Sequence, residues 1–405
     1  MHRFIKIPDK LKKYINEFTG MFTKPSFTSF SQLMFAIPVC DKAKNVYNLY
    51  DTMAVEDKKA RSSYNWFFND ARWDEDLLAE RKADMFFKAL DVKKNDQILF
   101  IVDDTYEEKK GNDTEGVGRF YDHSKGCYIW GNRFITSVIQ CKGLFIPHKA
   151  KMYIKEEDTE DFRTGFEIAF DDMILPFKTP EETRLMVVID SWWFSVDFVT
   201  KCRGLNYHVT GQLKSNKEIV DNGITINVSE YAQRFEKKDY KRIELMVRGK
   251  KRAYWAIDKV VEIEGIGKVK LVISRKSFEK DPRYYFSTDA HLTAYEVLDI
   301  YENRWNIETA HREANQKLGF KDYQMRSEKA IERFIQMVFA MWTLLLISDL
   351  EAETTGDKRV TMGEKIEAIR ATCFIDMFKY IIDVFNLPLP IEKMIDTLKE
   401  FGYKT

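Results

Sequence analysis

The chain has 405 residues, of which 44% are hydrophobic and 32% charged, and it contains only 18 Gly and 9 Pro. These values exclude a disordered, collagen-like or low-complexity chain. The length predicts two or more structural units, because one core rarely grows beyond about 250–300 residues. Acidic and basic residues balance at 64 each, so the net charge indicates no partner. The 5 cysteines form no Cys-x-x-Cys pair, a pattern typical of reduced thiols in a cytoplasmic protein.

The first 96 residues are predicted to form a helical region. Asp74 is expected to cap a helix over residues 75–90, where leucines recur at helical spacing behind acidic residues. DNA binding is one interpretation of region 1–96, and a plain helical cap is the other.

No membrane-spanning segment is predicted. The most apolar run, residues 334–347, is shorter than the roughly 20 residues that cross a bilayer, so a buried helix is expected. The N-terminal residues are charged and lack a long apolar run, so no export signal is predicted there. These features indicate a soluble cytoplasmic protein.

An alternation of strands and helices begins at residue 97. Two apolar runs, 97–104 and 184–193, are predicted to be strands, and acidic residues lie where these strands are expected to end. The runs 127–141 and 144–154 are predicted to form hairpin strands. A helix is expected over 158–175. This order predicts an α/β fold.

The charge then changes sign along the chain. Residues 150–198 hold 5 basic and 12 acidic side chains, whereas residues 199–285 hold 20 basic and 11 acidic ones. The basic stretch alternates like strands over 223–231, 242–257 and 259–276. A basic β-rich insertion that binds a phosphate backbone is one interpretation. A solvated sheet with lysines along its edges is the other.

Three acidic residues lie where carboxylates commonly bind metal. Asp104 and Asp190 each end an apolar strand, and the carboxyl end of a strand faces the open mouth of an α/β sheet. Glu308 lies in a helix expected over 294–318 and ended by Gly319. Two aspartates and a glutamate form an oxygen-rich site suited to two Mg²⁺ ions, with Mn²⁺ able to substitute. Asp103 is the other candidate for the first carboxylate.

One face of this helix is polar at 100° per residue. A core-facing helix would place aliphatic side chains there, so the stripe favours a groove that holds phosphates and metal together. It comprises Tyr301, Arg304, Glu308, His311, Arg312 and Asn315.

The string YENRWNIE (301–308) resembles Y-x-x-R-x-x-x-E, the first three letters of the Y-R-E-K signature of DDE transposases from bacterial and archaeal insertion sequences. IVDDTYEEKKG (101–111) and VVIDSWWFS (187–195) are similar to the family's two aspartate regions. LGFKDYQMRSEKAIERF (318–334) is similar to its continuation after the glutamate. The resemblance extends over roughly 97–347. It implies an RNase H-like core interrupted by a β-rich insertion.

The resemblance also implies roles for particular residues. Asp104, Asp190 and Glu308 would form the metal-binding triad, with Asp104 preferred to Asp103 because the family's first acid commonly precedes Thr. Tyr301 and Arg304 would grip DNA phosphates.

The fourth signature letter departs from the family. Its lysine is expected seven residues after the glutamate, where this chain has Asn315. Arg312 or Lys317 would replace it. Further phosphate contacts are predicted in the basic insertion, at Arg248, Lys250, Lys251 and Arg252.

The resulting domain prediction has five parts. They are a helical region, 1–96; the first part of the core, 97–204; the insertion, 205–288; the second part of the core with the glutamate helix, 289–350; and a helical C-terminal region, 351–405.

The predicted function is that of a Mg²⁺-dependent DDE transposase that cuts the ends of its own element and joins the 3′-OH to target DNA. The partners would be double-stranded DNA, both terminal inverted repeats and target, and a second copy of the chain in a homodimer on that DNA. A non-catalytic DNA-binding protein derived from a transposase and an RNase H-like nuclease without strand transfer are the alternatives.

Overall fold

The computed structural model describes residues 2–122, 125–353 and 360–386. Pro388 and Pro390, which were expected to break the helical C-terminal region, lie outside the described residues. The helices are α1 (Asp9–Ile15), α2 (Lys24–Val39), α3 (Val46–Thr52), α4 (Arg61–Asn69), α5 (Glu75–Ala89), α6 (Gly165–Glu167, continued by a π-helix over Ile168–Ile174), α7 (Val196–Gly204), α8 (Val228–Ala232), α9 (Ala294–Glu302), α10 (Asn306–Leu318), α11 (Glu328–Glu353) and α12 (Met362–Phe385). The strands are β1 (Gln97–Glu108), β2 (Gly118–Asp122), β3 (Cys127–Cys141), β4 (Leu144–Tyr153), β5 (Arg184–Ile189), β6 (His208–Leu213), β7 (Glu218–Asp221), β8 (Ile224–Asn227), β9 (Lys241–Val247), β10 (Lys250–Ile263), β11 (Gly267–Arg275) and β12 (Arg283–Ser287).

Five strands form the central part of the sheet in the order β4–β3–β1–β5–β6. β1, β5 and β6 run parallel, and β3 and β4 form an antiparallel hairpin beside β1. The start of β1 is buried on both faces: Phe100 and Val102 join the main core, whereas Leu99 and Ile101 pack against Ile307 of α10. This is an RNase H-like core, and the predicted α/β fold class is confirmed.

The basic stretch continues the same sheet. β12 pairs antiparallel with β6, and β11, β10, β7 and β8 follow in that order. The structure corrects the start of the insertion, which was predicted at residue 205. Because β6 (His208–Leu213) pairs in parallel with β5, it belongs to the core, and the chain enters the insertion only after Leu213.

A hairpin divides the run that was predicted as one strand-like segment over 242–257. β9 and β10 pair with Val247 opposite Lys250, and Arg248 and Gly249 form the turn between them. Both turn residues have positive φ, 53° and 71°. Such a two-residue turn matches the twist of its strands, and Gly249 meets its backbone requirement without strain.

Helical segments cover both faces of the central sheet, with α9 and α10 on the face that carries Leu99 and Ile101. Asp74 caps α5 by accepting hydrogen bonds from the backbone N–H groups of Asp76 and Leu77, as its sequence predicts. One helix among the described residues, Glu328–Leu350, is long and apolar enough to cross a membrane, but it is enclosed in the core. The expectation of a buried helix over 334–347 is therefore confirmed.

The glutamate helix is not continuous. α9 ends at Glu302, a 3₁₀ turn spans Asn303–Trp305, and α10 begins at Asn306. The helix expected over 294–318 is thus two helices joined by a tightened turn. Gly319 ends α10 with φ 72°, in the left-handed conformation that glycine adopts readily.

Candidate active site

Two aspartates lie at the same edge of the sheet. β1 and β5 are parallel, and their last paired residues are Ile101 and Val188. Asp103 and Asp190 each lie two residues further along, beyond the end of that pairing. Asp190 accepts hydrogen bonds from the backbone N–H groups of the two residues after Ser191, at 2.8 and 3.1 Å, which hold its carboxylate at the mouth of the sheet.

Arg304 connects the first aspartate to the glutamate helix. Its guanidinium donates to Asp103 Oδ2 at 2.9 Å and to Glu308 Oε1 at 2.7 Å. Burial raises the pKa of Asp103 to about 7, the charge of Arg304 opposes this shift, and the carboxylate of Asp190 adds to it. The polar stripe of the helix therefore contacts the end of β1 through Arg304, and Asp190 lies near enough to Asp103 for its charge to act on that carboxyl.

The structure places Asp104, which was preferred as the first carboxylate, on the face of the sheet away from Glu308. Side chains alternate along a strand, so Asp104 faces the side of the sheet opposite to Glu308. Its Oδ2 accepts from Arg133 Nε at 2.8 Å and from the Tyr106 hydroxyl at 3.1 Å. Asp103 carries the carboxylate that faces Arg304 and Glu308.

The three acids suit a divalent metal by their chemistry. All their donor atoms are carboxylate oxygens, which hard cations prefer, and two of them already share one cationic group. Within residues 2–122, 125–353 and 360–386, however, no three His, Cys, Asp or Glu side chains are close enough to hold one ion as they stand. The guanidinium of Arg304 occupies the space between Asp103 and Glu308, so metal binding requires Arg304 to move.

A cleft of about 420 Å³ opens beside Asp190, between the insertion and the glutamate helix. The Arg248 guanidinium lies 3.8 Å from the centre of the Trp305 ring, so the β9–β10 turn covers one end of the cleft. The Tyr254 hydroxyl donates to Glu302 at 2.6 Å and fastens β10 to α9. Five cationic side chains line the cleft: Arg248, Arg252, Lys276, Arg283 and Arg304.

Four of the predicted DNA-binding residues meet in this cleft, namely Tyr301, Arg304, Arg248 and Arg252. Tyr301 does not point freely into it, because its hydroxyl donates to Gln212 Oε1 at 2.8 Å. Both terminal nitrogens of the Arg304 guanidinium likewise donate to carboxylates, so Arg304 cannot bind a phosphate with both of them in this conformation.

The other predicted DNA-binding residues lie elsewhere. Lys250 and Lys251 are exposed on the β9–β10 hairpin, outside the cleft. Arg312, Asn315 and Lys317 are exposed along α10. Glu308 pairs with Arg304, so the helix shows no ion pair between Glu308 and Arg312.

Sequence reasoning missed three residues near the site. Lys276 and Arg283 line the cleft from the ends of β11 and β12, and only their place in the net positive stretch could have indicated them. Thr136 of β3 lies opposite Asp103 and bonds to its backbone. His311, expected in the groove, instead contacts Thr136 and the ring of Phe320.

Comparison with protein families gives two matches. Residues 17–223 match the family described as DDE superfamily endonuclease, and residues 169–344 match the transposase DDE domain. The first match includes Asp103 and Asp190, and the second includes Asp190 and Glu308. The chain belongs to the DDE superfamily endonuclease family. Its function is that of a DDE transposase, a class of DNA-cleaving enzyme that uses divalent metal ions.

A solved structure is also similar to the chain. It is the cryo-EM structure of the piggyBac transposase synaptic complex with hairpin DNA, at 11% identity and a TM-score of 0.47, covering 96% of this chain and 81% of that one. A comparison with curated protein sequences gives no significant match.

Proposed function

We propose that the protein cuts the ends of its own mobile element and joins the freed 3′-OH to target DNA, with Mg²⁺ as the natural metal and Mn²⁺ as a substitute. The observation that carries this proposal is the meeting of Asp103, Glu308 and Arg304 beside Asp190, at the mouth of a cationic cleft. Both steps are in-line displacements at phosphorus, first by water and then by a DNA hydroxyl. Neither step needs a covalent bond between protein and DNA.

The proposed metal-binding residues are Asp103, Asp190 and Glu308, with Asp103 in place of Asp104. Two divalent ions held by these residues would supply the Lewis acidity that such a displacement needs. Arg304 balances the charge of the Asp103 and Glu308 carboxylates until metal binds, and its guanidinium is then available to a DNA phosphate. Its planar fork suits either a carboxylate or a phosphate.

The proposed DNA partner is double-stranded, with the element's terminal inverted repeats bound first and target DNA second. The cations of the cleft and the exposed Arg312 offer contacts to the phosphate backbone. Two ends must be held at once, so we propose a homodimer on DNA. With the string Tyr301–Arg304–Glu308 as support, we assign the chain to insertion-sequence transposases that act on the cytoplasmic nucleoid.

The test uses labelled duplexes carrying the DNA that flanks the reading frame, a supercoiled plasmid as target, and the purified full chain. Cleavage and joined products are expected with Mg²⁺ or Mn²⁺ and not with EDTA. The control variant Asp190→Asn should bind the flanking duplex and cut nothing.

Each alternative function predicts a different result in this assay. Cleavage without joined product would identify a nuclease without strand transfer. Binding without cleavage by the wild-type protein in any divalent metal would identify a non-catalytic DNA-binding protein. The presence of all three acids favours the transposase reaction over the second alternative.

A further inference from the structure

A chain of hydrogen bonds links the glutamate helix to the first-aspartate strand without touching either carboxylate. Thr136 of β3 lies directly opposite Asp103 of β1 and is buried. Its Oγ1 lies 3.0 Å from the backbone carbonyl oxygen of Asp103 and 2.9 Å from His311 Nε2. His311 is three residues after Glu308, one turn along the same helix. The carriers of two metal-site acids are thus joined through two side chains.

The direction of each hydrogen bond follows from the number of protons. A hydroxyl has one proton and a carbonyl oxygen can only accept, so Thr136 donates to Asp103. His311 must then donate its Nε2–H to Thr136, which leaves Nδ1 without a proton. Burial lowers the pKa of His311 to about 3, with the charge of Lys321 adding to the shift, so the ring is neutral at pH 7. The contacts therefore assign one tautomer.

The imidazole is also fixed from its other side. Its ring stacks on Phe320 with centroids 6.2 Å apart and planes 10° apart, and Phe320 in turn stacks on Phe339 of α11. Rotation or sliding of α10 would have to break the Thr136 contact and this stack together. Displacement of a catalytic group by about 1 Å can lower a rate about a hundredfold.

We propose that His311, acting through Thr136, is a positioning residue that sets the separation of the Asp103 and Glu308 carboxylates. The proposal rests on the metal-binding roles assigned above to these acids. Partners that orient metal ligands are worth about 10–100-fold in metal affinity or activity. A histidine that only fills the core would affect folding alone.

The test measures Mn²⁺ binding to the full chain without DNA, by electron paramagnetic resonance, for variants matched in shape. Thr136→Val keeps the volume and loses the hydroxyl, whereas Thr136→Ser keeps the hydroxyl. His311→Phe keeps the ring stack and loses the donor. Thr52→Val is the control for stability, because Thr52 is also buried and donates to a backbone carbonyl, at 2.8 Å, within α3 of the N-terminal helical region.

Thr136→Val and His311→Phe are expected to raise the Mn²⁺ dissociation constant about tenfold, and the double variant no further, because both break one chain. Thr136→Ser and Thr52→Val should stay within about twofold of wild type. In ¹⁵N-histidine spectra, the signal lost in His311→Phe should show the Nε2–H tautomer.

Unchanged Mn²⁺ affinity in Thr136→Val and His311→Phe, whatever their melting temperatures, would overturn the positioning role while leaving the proposed function intact. An Nδ1–H tautomer for His311 would overturn it as well. If the wild-type protein binds no Mn²⁺, the proposed metal site fails, and the positioning role fails with it.

Discussion

Neutralising each of the adjacent aspartates in turn should give opposite results for cleavage and for stability. Asp103→Asn removes a carboxylate that faces Arg304 and Glu308, whereas Asp104→Asn removes one that pairs with Arg133 on the other face of the sheet. We expect Asp103→Asn to lose cleavage and keep its fold. Asp104→Asn should keep cleavage and lose stability.

The magnitude for Asp103 follows from its pKa, which burial raises from 3.8 to about 7. A pKa difference of about 3 corresponds to about 4 kcal/mol in the free energy of unfolding, at 1.36 kcal/mol for each pH unit. A raised pKa means that the folded state binds the proton more tightly than the unfolded state. The wild-type, metal-free protein should therefore lose stability as the pH rises from about 4 through 7.

Asp103→Asn cannot ionise and should lack that loss. In EDTA at pH 8 it should melt a few degrees above wild type, and at pH 5 the two should melt closer together. Because Lewis acidity contributes several kcal/mol to such reactions, its cleavage rate should fall about a thousandfold.

The magnitude for Asp104 follows from its hydrogen bonds. Its Oδ2 accepts from Arg133 at 2.8 and 2.7 Å, and both side chains are about a quarter exposed. Hydrogen bonds to charged groups contribute about 1.5–3 kcal/mol, and partial exposure reduces this to about 2 kcal/mol in total. At about 2.1 cal/mol/K per residue, the melting temperature should fall by about 2–3 °C. Cleavage should stay within about threefold of wild type.

The assay combines cleavage of the flanking duplex in Mg²⁺ with thermal melts in EDTA at pH 5 and pH 8. If Asp104→Asn abolishes cleavage while Asp103→Asn cuts normally, the assignment of the first carboxylate is wrong. If the melting temperatures of Asp103→Asn and wild type differ equally at both pH values, the account of Asp103 burial is wrong.

Two further predictions concern DNA contacts. In filter-binding titrations, Arg252→Glu in the cleft should make the slope of log affinity against log salt concentration shallower by about 0.9, the value of one phosphate contact. The control Lys238→Glu, on the exposed surface of the insertion, should leave this slope unchanged. Equal slopes for the two variants would exclude Arg252 from the DNA interface. Arg312→Ala should weaken binding of the flanking duplex more than Lys317→Ala, because Arg312 lies one turn from Glu308. Asn315→Lys should bind the duplex at least as tightly as wild type. A larger loss of DNA affinity in Lys317→Ala than in Arg312→Ala would assign the missing signature cation to Lys317.

Local sequence determined the elements that carry the site. The run from Ile98 to Val102 is apolar at every position, as expected for a strand covered on both faces. Asp74 and Gly319 marked where helices begin and end, because capping depends on a few neighbouring residues. The polar stripe on the glutamate helix indicated a functional face.

Only the tertiary structure decided which aspartate faces the glutamate. Leu99, Ile101 and Asp103 share one face of β1, and Phe100 and Asp104 share the other. Both faces are apolar before the acids begin, so the alternation of the sequence gives no preference. The choice depends on which side of the sheet α10 covers, and long-range packing sets that side.

The sequence alone likewise does not predict the cleft or the chain of hydrogen bonds through Thr136. The cleft draws cations from β10, β12 and the turn after Val247, and these meet because β12 pairs with β6. The spacing of residues along the sequence does not predict which strands pair. His311 and Thr136 are 175 residues apart, and their contact exists only after α10 has packed on the sheet. Local sequence thus determined strands, caps and the acids available for catalysis, whereas the side on which α10 packs decided which of those acids share a site.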